Sequence, residues 1–167
     1  MDPLTGLVLR PITMEDLDAV RDLHIRSWEV LAAAAHTPGQ LAAHTAIMRD
    51  PAYRDELLAN NLVLAETADS ALLGTAGWRP HDRKPGMARV RKVFVDPTMA
   101  GSGLGRRLVL DAEARAAQAG YGSYFVRSQI NAVGFYGRLG YREIEPGEIP
   151  FPGGNAIPVM FMEKREH

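Results

Sequence analysis

Val93-Phe94-Val95-Asp96-Pro97-Thr98-Met99-Ala100-Gly101-Ser102-Gly103-Leu104-Gly105-Arg106-Arg107 decides how this chain reads. A β-branched and aromatic run stops at a proline, and three alternating glycines then open an amphipathic helix. Glycines at 101, 103 and 105 let successive backbone N–H groups converge with no side chain in the way. The first turn of the helix adds donors with no partner inside the helix, together with the positive end of its dipole. This combination suits a phosphate or pyrophosphate.

Outward from that stretch, helical and extended segments alternate along the chain. Leu7 to Arg10 reads as a short strand ended by Pro11, and Thr13 with Asp16 resembles a capping box for the helix carrying Leu17, Val20, Leu23, Trp28 and Leu31. Thr37-Pro38-Gly39-Gln40 starts another helix, which Pro51 bends or restarts before the Asn60-Asn61 break. Leu62–Thr67 and Leu72–Trp78 flank a polar turn and read as an antiparallel hairpin, with a third strand at Ala88–Val95. After the glycines, Leu104, Leu108, Val109, Ala112 and Ala116 form one helical stripe closed by Gly120. Strands at Tyr124–Val126, Tyr141–Ile144 and Val159–Met162, and a short helix at Ala132–Leu139, complete the order βααβββαβαββ. That order predicts one α/β domain around a mixed sheet, with tails at residues 1–6 and 165–167 and the domain at 7–164.

The third strand contains a slip of phase. Arg89 and Arg91 share one face and Val90 the other, yet Val93 and Val95 fit the pattern only if the phase changes. A β-bulge near Arg91-Lys92 produces that change, and so does a strand buried on both faces, where phase carries no information.

Composition narrows the function. The 167 residues carry 19 basic and 20 acidic side chains, a net charge of −1, which gives no whole-molecule case for nucleic acid or an anionic membrane. With no cysteine, disulfides, thiol nucleophiles and Cys-ligated zinc are excluded, and the five histidines show no metal-ligand spacing. No apolar run approaches the ~20 residues of a membrane helix, and the first residues lack a signal-peptide layout, so a cytoplasmic protein is expected. The glycine spacing fits neither the G-x-G-x-x-G dinucleotide fingerprint nor the Walker loop, because no Gly-Lys-Ser/Thr follows.

A second motif lies about thirty residues downstream: Asn131-Ala132-Val133-Gly134-Phe135-Tyr136-Gly137-Arg138-Leu139-Gly140-Tyr141. Together, the two segments resemble the signature motifs of the GNAT-type N-acetyltransferases, which move an acetyl group from acetyl-CoA to an amine. The likeness runs from Leu7 to Lys164 and includes the closing Ile157-Pro158-Val159-Met160-Phe161-Met162. It implies a single-domain GNAT-like α/β fold, with a mixed, mostly antiparallel sheet of about seven strands flanked by about four helices. One departure stands out: Ala100 occupies the place where the family usually has Arg or Gln, which predicts weaker cofactor binding.

The resemblance also implies a site. Acetyl-CoA, as cosubstrate, lies with its pantetheine along Val93, Phe94 and Val95 and its pyrophosphate on Gly101, Ser102, Gly103, Leu104, Gly105 and Arg106. Arg106 and Arg107 are candidate phosphate partners and equally candidate surface residues. Tyr136 is the candidate general acid to the departing CoA sulfur, since a phenol of ordinary pKa near 10 keeps its proton at neutral pH; the competing role is a core tyrosine. Asn131 is either a partner of the pantetheine arm or a helix N-cap. No general base stands out: Glu66, His24, His36, His81 and Asp82 qualify by chemistry alone. Trp28 and Trp78 are candidates for lining an acceptor pocket. The acceptor is a small-molecule or protein amine, transfer is direct, no metal takes part, and a homodimer is compatible with such a domain. The alternatives are an acyl-CoA-binding sensor or scaffold without turnover, and a nucleotide-binding α/β protein.

Overall fold

A computed structural model describes residues 2–166. Seven strands form one sheet: β1 (Val8–Pro11), β2 (Val63–Glu66), β3 (Leu72–Pro80), β4 (Met87–Val95), β5 (Ser123–Gln129), β6 (Arg142–Ile149) and β7 (Ile157–Arg165). Their order is β1-β2-β3-β4-β5-β7-β6, with every neighbouring pair antiparallel except β4 and β5. Five helices flank it: α1 (Leu17–Leu31), α2 (Pro38–Arg49), α3 (Tyr53–Leu58), α4 (Leu104–Gln118) and α5 (Val133–Arg138). The expected count was about four. Pro51 accounts for the difference, because the bend before it ends α2 and α3 starts afresh after it.

Local signals in the sequence act where expected. The Thr37 hydroxyl accepts from the Gln40 N–H at 3.1 Å, and the Gln40 side chain accepts from the Thr37 N–H at 2.9 Å, closing the capping box of α2. Asp16 accepts from the Thr13 N–H at 2.7 Å, but the turn this starts is a single 3-10 turn that runs into α1. Gly120 has φ +101°, and the Tyr121 N–H reaches back to the Ala116 carbonyl to end α4. β7 continues through Arg165, paired with Ser123, one residue into the stretch read as a tail. Leu4, from the other tail, packs on the core.

The sheet separates two cores. The stripe of α4 packs on one face with Ala88, Val90, Tyr124 and Val126. On the other face, α1, α2 and α3 bury Leu17, Val20, Trp28, Met48, Tyr53 and Leu57 against Leu62, Leu64 and Ile157. Burying each of these larger apolar side chains contributes about 1.5–3 kcal/mol, which fixes both helix layers against the sheet.

Two irregularities in β4 shape the site. Thr75 pairs with Phe94 and Gly77 with Arg91, so β4 has one residue more than β3 across this interval. That is a β-bulge, and its extra residue is Lys92, at φ +57°. The bulge returns Val93 and Val95 to the α4 face that Val90 also occupies, and puts Phe94 against α1. The second irregularity is the short parallel ladder: β4 pairs with β5 only from Met87–Arg89 to Ser123–Phe125. Beyond Arg89 the two strands part and leave a wedge open at the middle of the sheet.

Candidate active site

Val93, Phe94 and Val95 form one wall of a cavity of about 370 Å3 that continues to Ala100, Gly101 and Gly105 and is closed by Asn131, Phe135 and Tyr136. The Asp96 N–H bonds the Leu73 carbonyl on β3 at 2.8 Å. Backbone N–H groups alternate between the two edges of a strand, so those of Val93 and Val95 face the wedge.

The glycine loop has the donors expected of it. Gly101 and Gly103 take φ +76° and +92°, the left-handed region where other residues are strained. The N–H groups of Ser102 and Arg107 bond the Met99 and Gly103 carbonyls, and the Leu104 N–H bonds the Ser102 hydroxyl at 3.2 Å. Among the described residues, the N–H groups of Gly101, Gly103, Gly105 and Arg106 are left without protein partners. Leu104, expected in the cofactor set, is therefore spent locally: its amide is taken and its side chain is fully buried in the core. Ser102 serves the loop by accepting from that amide. Gly105 is glycine for a packing reason, since a Cβ there would sit 3.2 Å from the Phe135 ring. Arg106 and Arg107 are exposed.

Tyr136 lies at the centre. It lines this cavity and also a second one of about 340 Å3, and the two meet at Trp28, Val93, Phe94, Gln129, Ala132 and Tyr136. Burial pushes its phenol above the ordinary tyrosine range, so it holds its proton throughout the physiological range. Asn131 is not an N-cap, because Gln129 and Ala132 occupy the two cap positions beside it. Its amide donates weakly to the Leu31 carbonyl at 3.4 Å and borders the first cavity.

The second cavity lies between α2, α3 and the residues that follow β6. Trp28 lines it; Trp78 does not, but packs against Tyr121 and the α4 core. None of Glu66, His24, His36, His81 and Asp82 borders either cavity. Glu66 is held by Arg10 at 2.8 Å, and His81 accepts from two loop amides. Besides the neutral Tyr53, Gln129 and Tyr136, the polar groups that line the second cavity are His44, Glu56, Arg89, Arg91, Lys92 and Arg127. Alternation had put Arg89 and Arg91 on one face of β4, but no residue pattern announced that Arg127 and His44 would join them. Burial and the neighbouring Lys92 and Arg127 charges lower His44 to about 4, so it is neutral at pH 7.

His24 supports the bulge from behind. Its Nδ1 lies 2.7 Å from the Tyr53 hydroxyl, its Nε2 lies 2.7 Å from the Thr75 hydroxyl, and its ring stacks on Phe94. The Thr75 hydroxyl donates its one proton to the Lys92 carbonyl at 2.8 Å. It therefore accepts from His24 Nε2–H, which assigns the tautomer and leaves Nδ1 to accept from Tyr53. Burial, helped by the Lys92 charge, holds His24 well below its ordinary pKa, in keeping with a neutral ring. A buried chain of hydrogen bonds thus ties α3 and α1 to the strained residue of the bulge.

Residues 32–163 match the profile of an acetyltransferase (GNAT) domain. The chain belongs to the GNAT acetyltransferase family. Solved GNAT structures share its fold. A GCN5-related N-acetyltransferase from Rhodopseudomonas palustris superposes with a TM-score of 0.84 at 22% identity, covering 96% of each chain. PaiA N-acetyltransferase from Thermoplasma acidophilum, in complex with coenzyme A, gives 0.75 at 19% identity over 96% of this chain and 99% of its own. A chimera of the spermidine N-acetyltransferase SpeG from Vibrio cholerae with hSSAT gives 0.65 at 18% identity over 96% of both chains. No curated protein matches the sequence. Among the described residues of this GNAT chain, no helix is long and apolar enough to cross a membrane.

Proposed function

We propose that this protein transfers the acetyl group of acetyl-CoA to an amine in a ternary complex, with Tyr136 as the acid that protonates the departing sulfur. The observation that carries the reading is the meeting of two cavities at Tyr136 and Phe94, where the sheet parts beside the bulge. One cavity ends at four free backbone amides suited to a pyrophosphate. The other has room for a small amine.

Bound in the first cavity, acetyl-CoA supplies an acetyl group activated as a thioester. The open edge of β4 binds the pantetheine amides as an added strand would, and an N–H of Val93 or Val95 donates to the thioester oxygen. Backbone amides do most of the work on the pyrophosphate, so Ala100 weakens that grip without removing it. Transfer forms one C–N bond and breaks one C–S bond. The amine's proton leaves to solvent, and the sulfur takes the proton of Tyr136, which is then restored from water. The raised pKa of Tyr136 means that its proton moves only as negative charge builds on the sulfur next to it.

The test is free-CoA release from acetyl-CoA across a broad amine panel, alongside calorimetry of acetyl-CoA binding. Saturable release with at least one amine supports the proposal. Binding with no release from any amine favours a sensor or scaffold instead.

A further inference from the structure

We propose that the second cavity takes a small amine carrying an anionic oxyacid group, a carboxylate in the simplest case, gripped by Arg89 and Arg127. The proposal rests on the acetyltransferase reading above and adds the acceptor's chemical class.

Four cations line the cavity: Arg89 and Arg91 from β4, Lys92 from the bulge and Arg127 from β5, on the other side of the wedge. Among the described residues, the one carboxylate in the lining is Glu56, and it is already engaged by Arg91 at 3.6 Å and Lys92 at 3.5 Å. Asp82, the carboxylate that acts on Arg89, lies outside the lining, is exposed and faces Arg79 at 3.5 Å. Among the described residues, neither Arg89 nor Arg127 forms an ion pair within 4 Å, Glu56 acting on Arg127 only from further off, and Arg89 Nε is buried with no hydrogen bond. Arg89 sits opposite Phe125 in the β4–β5 register, and Arg127 is two residues further along β5 on the same face. Two guanidinium groups thus flank one opening, and their planar forks match the two oxygens of a carboxylate or the oxygens of a phosphonate.

Arg127 is exposed and Arg89 half-buried. A purely structural role does not account for Arg89, whose Nε is out of contact with water and without a partner where a charge that serves the fold is ordinarily paired. Here burial and mutual repulsion hold Arg89 down at about 10 and Lys92 at about 8, and Arg127 also lies below the ordinary arginine value. An anion relieves that repulsion. The remaining wall is apolar or neutral, with Trp28, His44, Phe94 and Phe151 available to the rest of the ligand. The same field disfavours an ammonium ion near Tyr136, so the amine arrives uncharged and its proton passes to water. No dedicated base is then needed, which accounts for the lack of a carboxylate or an ordinary histidine at the junction of the cavities. A polycation such as spermidine is repelled from this cavity.

The experiment uses the full chain with saturating acetyl-CoA. CoA release is measured for a panel of amino acids, each against its own carboxamide, with the matching aminoalkylphosphonates and with spermidine. In parallel, calorimetry measures N-acetylamino acids and their carboxamides binding to CoA-loaded protein. The expected result is a kcat/KM at least tenfold higher for acids than for their carboxamides, with spermidine lowest. Arg127→Gln and Arg89→Gln reduce that ratio below threefold while leaving acetyl-CoA affinity unchanged. Arg127, the more exposed of the two, is the substitution safest for folding, and Arg127→Lys retains part of the ratio. A phosphonate preferred over the matching carboxylate supports the proposal and identifies the oxyanion. Equal rates for acids and carboxamides, or spermidine as the best substrate, overturn it. If no amine is turned over, the acetyltransferase reading fails, and calorimetry still decides the pocket. Tighter, Arg127-dependent binding of the acids supports the inference, whereas no binding or equal binding overturns it.

Discussion

Thr75→Val removes one hydroxyl and leaves the shape of the side chain almost unchanged. That hydroxyl lies 2.7 Å from His24 Nε2 and 2.8 Å from the Lys92 carbonyl, and both Thr75 and His24 are fully buried. The substitution leaves the His24 N–H with no acceptor and the Lys92 carbonyl with one donor fewer. A buried donor or acceptor left unsatisfied costs about 1–3 kcal/mol, and the carbonyl has a second lone pair, so the sum is about 2–4 kcal/mol. For a chain of this size each kcal/mol moves Tm by about 2–4 °C, which predicts a fall of roughly 4–16 °C. Urea and thermal unfolding measure it. The kinetics carry a second signature: because the hydroxyl holds the carbonyl of the bulge, kcat falls more than affinity for acetyl-CoA. His24→Phe combined with Thr75→Val closes a double-mutant cycle, and removing both polar partners should cost at least about 1 kcal/mol less than the two single changes added together. A Thr75→Val loss below about 0.5 kcal/mol, the range of an ordinary surface change, refutes the hydrogen-bond chain as the support of the bulge.

Other positions give independent tests. Glu113 is buried on α4, where it accepts from Tyr141 at 2.8 Å and from Lys164 at 2.7 Å; Glu113→Ala strands that ammonium and should cost about 3–5 kcal/mol in urea unfolding, and a loss under about 1 kcal/mol contradicts the pairing. Gly105→Ala places a methyl 3.2 Å from Phe135, so it should lower kcat and weaken CoA binding by displacing α5, while unfolding changes by less than about 1 kcal/mol. His44 titrates near 6.5 unfolded and about 4 folded, so its contribution is complete above pH 6.5 and is lost as pH falls toward 4. His44→Gln should therefore flatten the decline in stability between pH 6.5 and 4, by up to about 3 kcal/mol over that window. An unchanged slope contradicts a half-buried imidazole held neutral.

The sequence made the fold legible where local chemistry is decisive. The α4 stripe, the Gly120 cap, the Thr37 capping box and the hairpin of β2 and β3 each follow from spacing within about fifteen residues. Even the bulge left a trace, because Val90 and Val93 fit one face only if a residue is inserted between them. What stayed hidden depends on long-range geometry. Arg127 joins Arg89 only because β4 and β5 pair for three residues and then part, and nothing within either strand encodes that parting. His44 meets the cavity because α2 docks over Trp28, and its own neighbours in sequence do not mark it. The basic acceptor cavity therefore emerged from the structure, whereas the glycine loop and Phe135-Tyr136 stood out in the sequence.

The most direct test of the account is the turnover of Tyr136→Phe against its acetyl-CoA affinity, measured with the best amine of the panel. A general acid contributes about 10²–10⁴ in rate, so kcat should fall by that factor, while the dissociation constant for acetyl-CoA stays within about threefold. Unchanged turnover, or a loss that appears only in cofactor binding, contradicts the role assigned to Tyr136 where the two cavities meet.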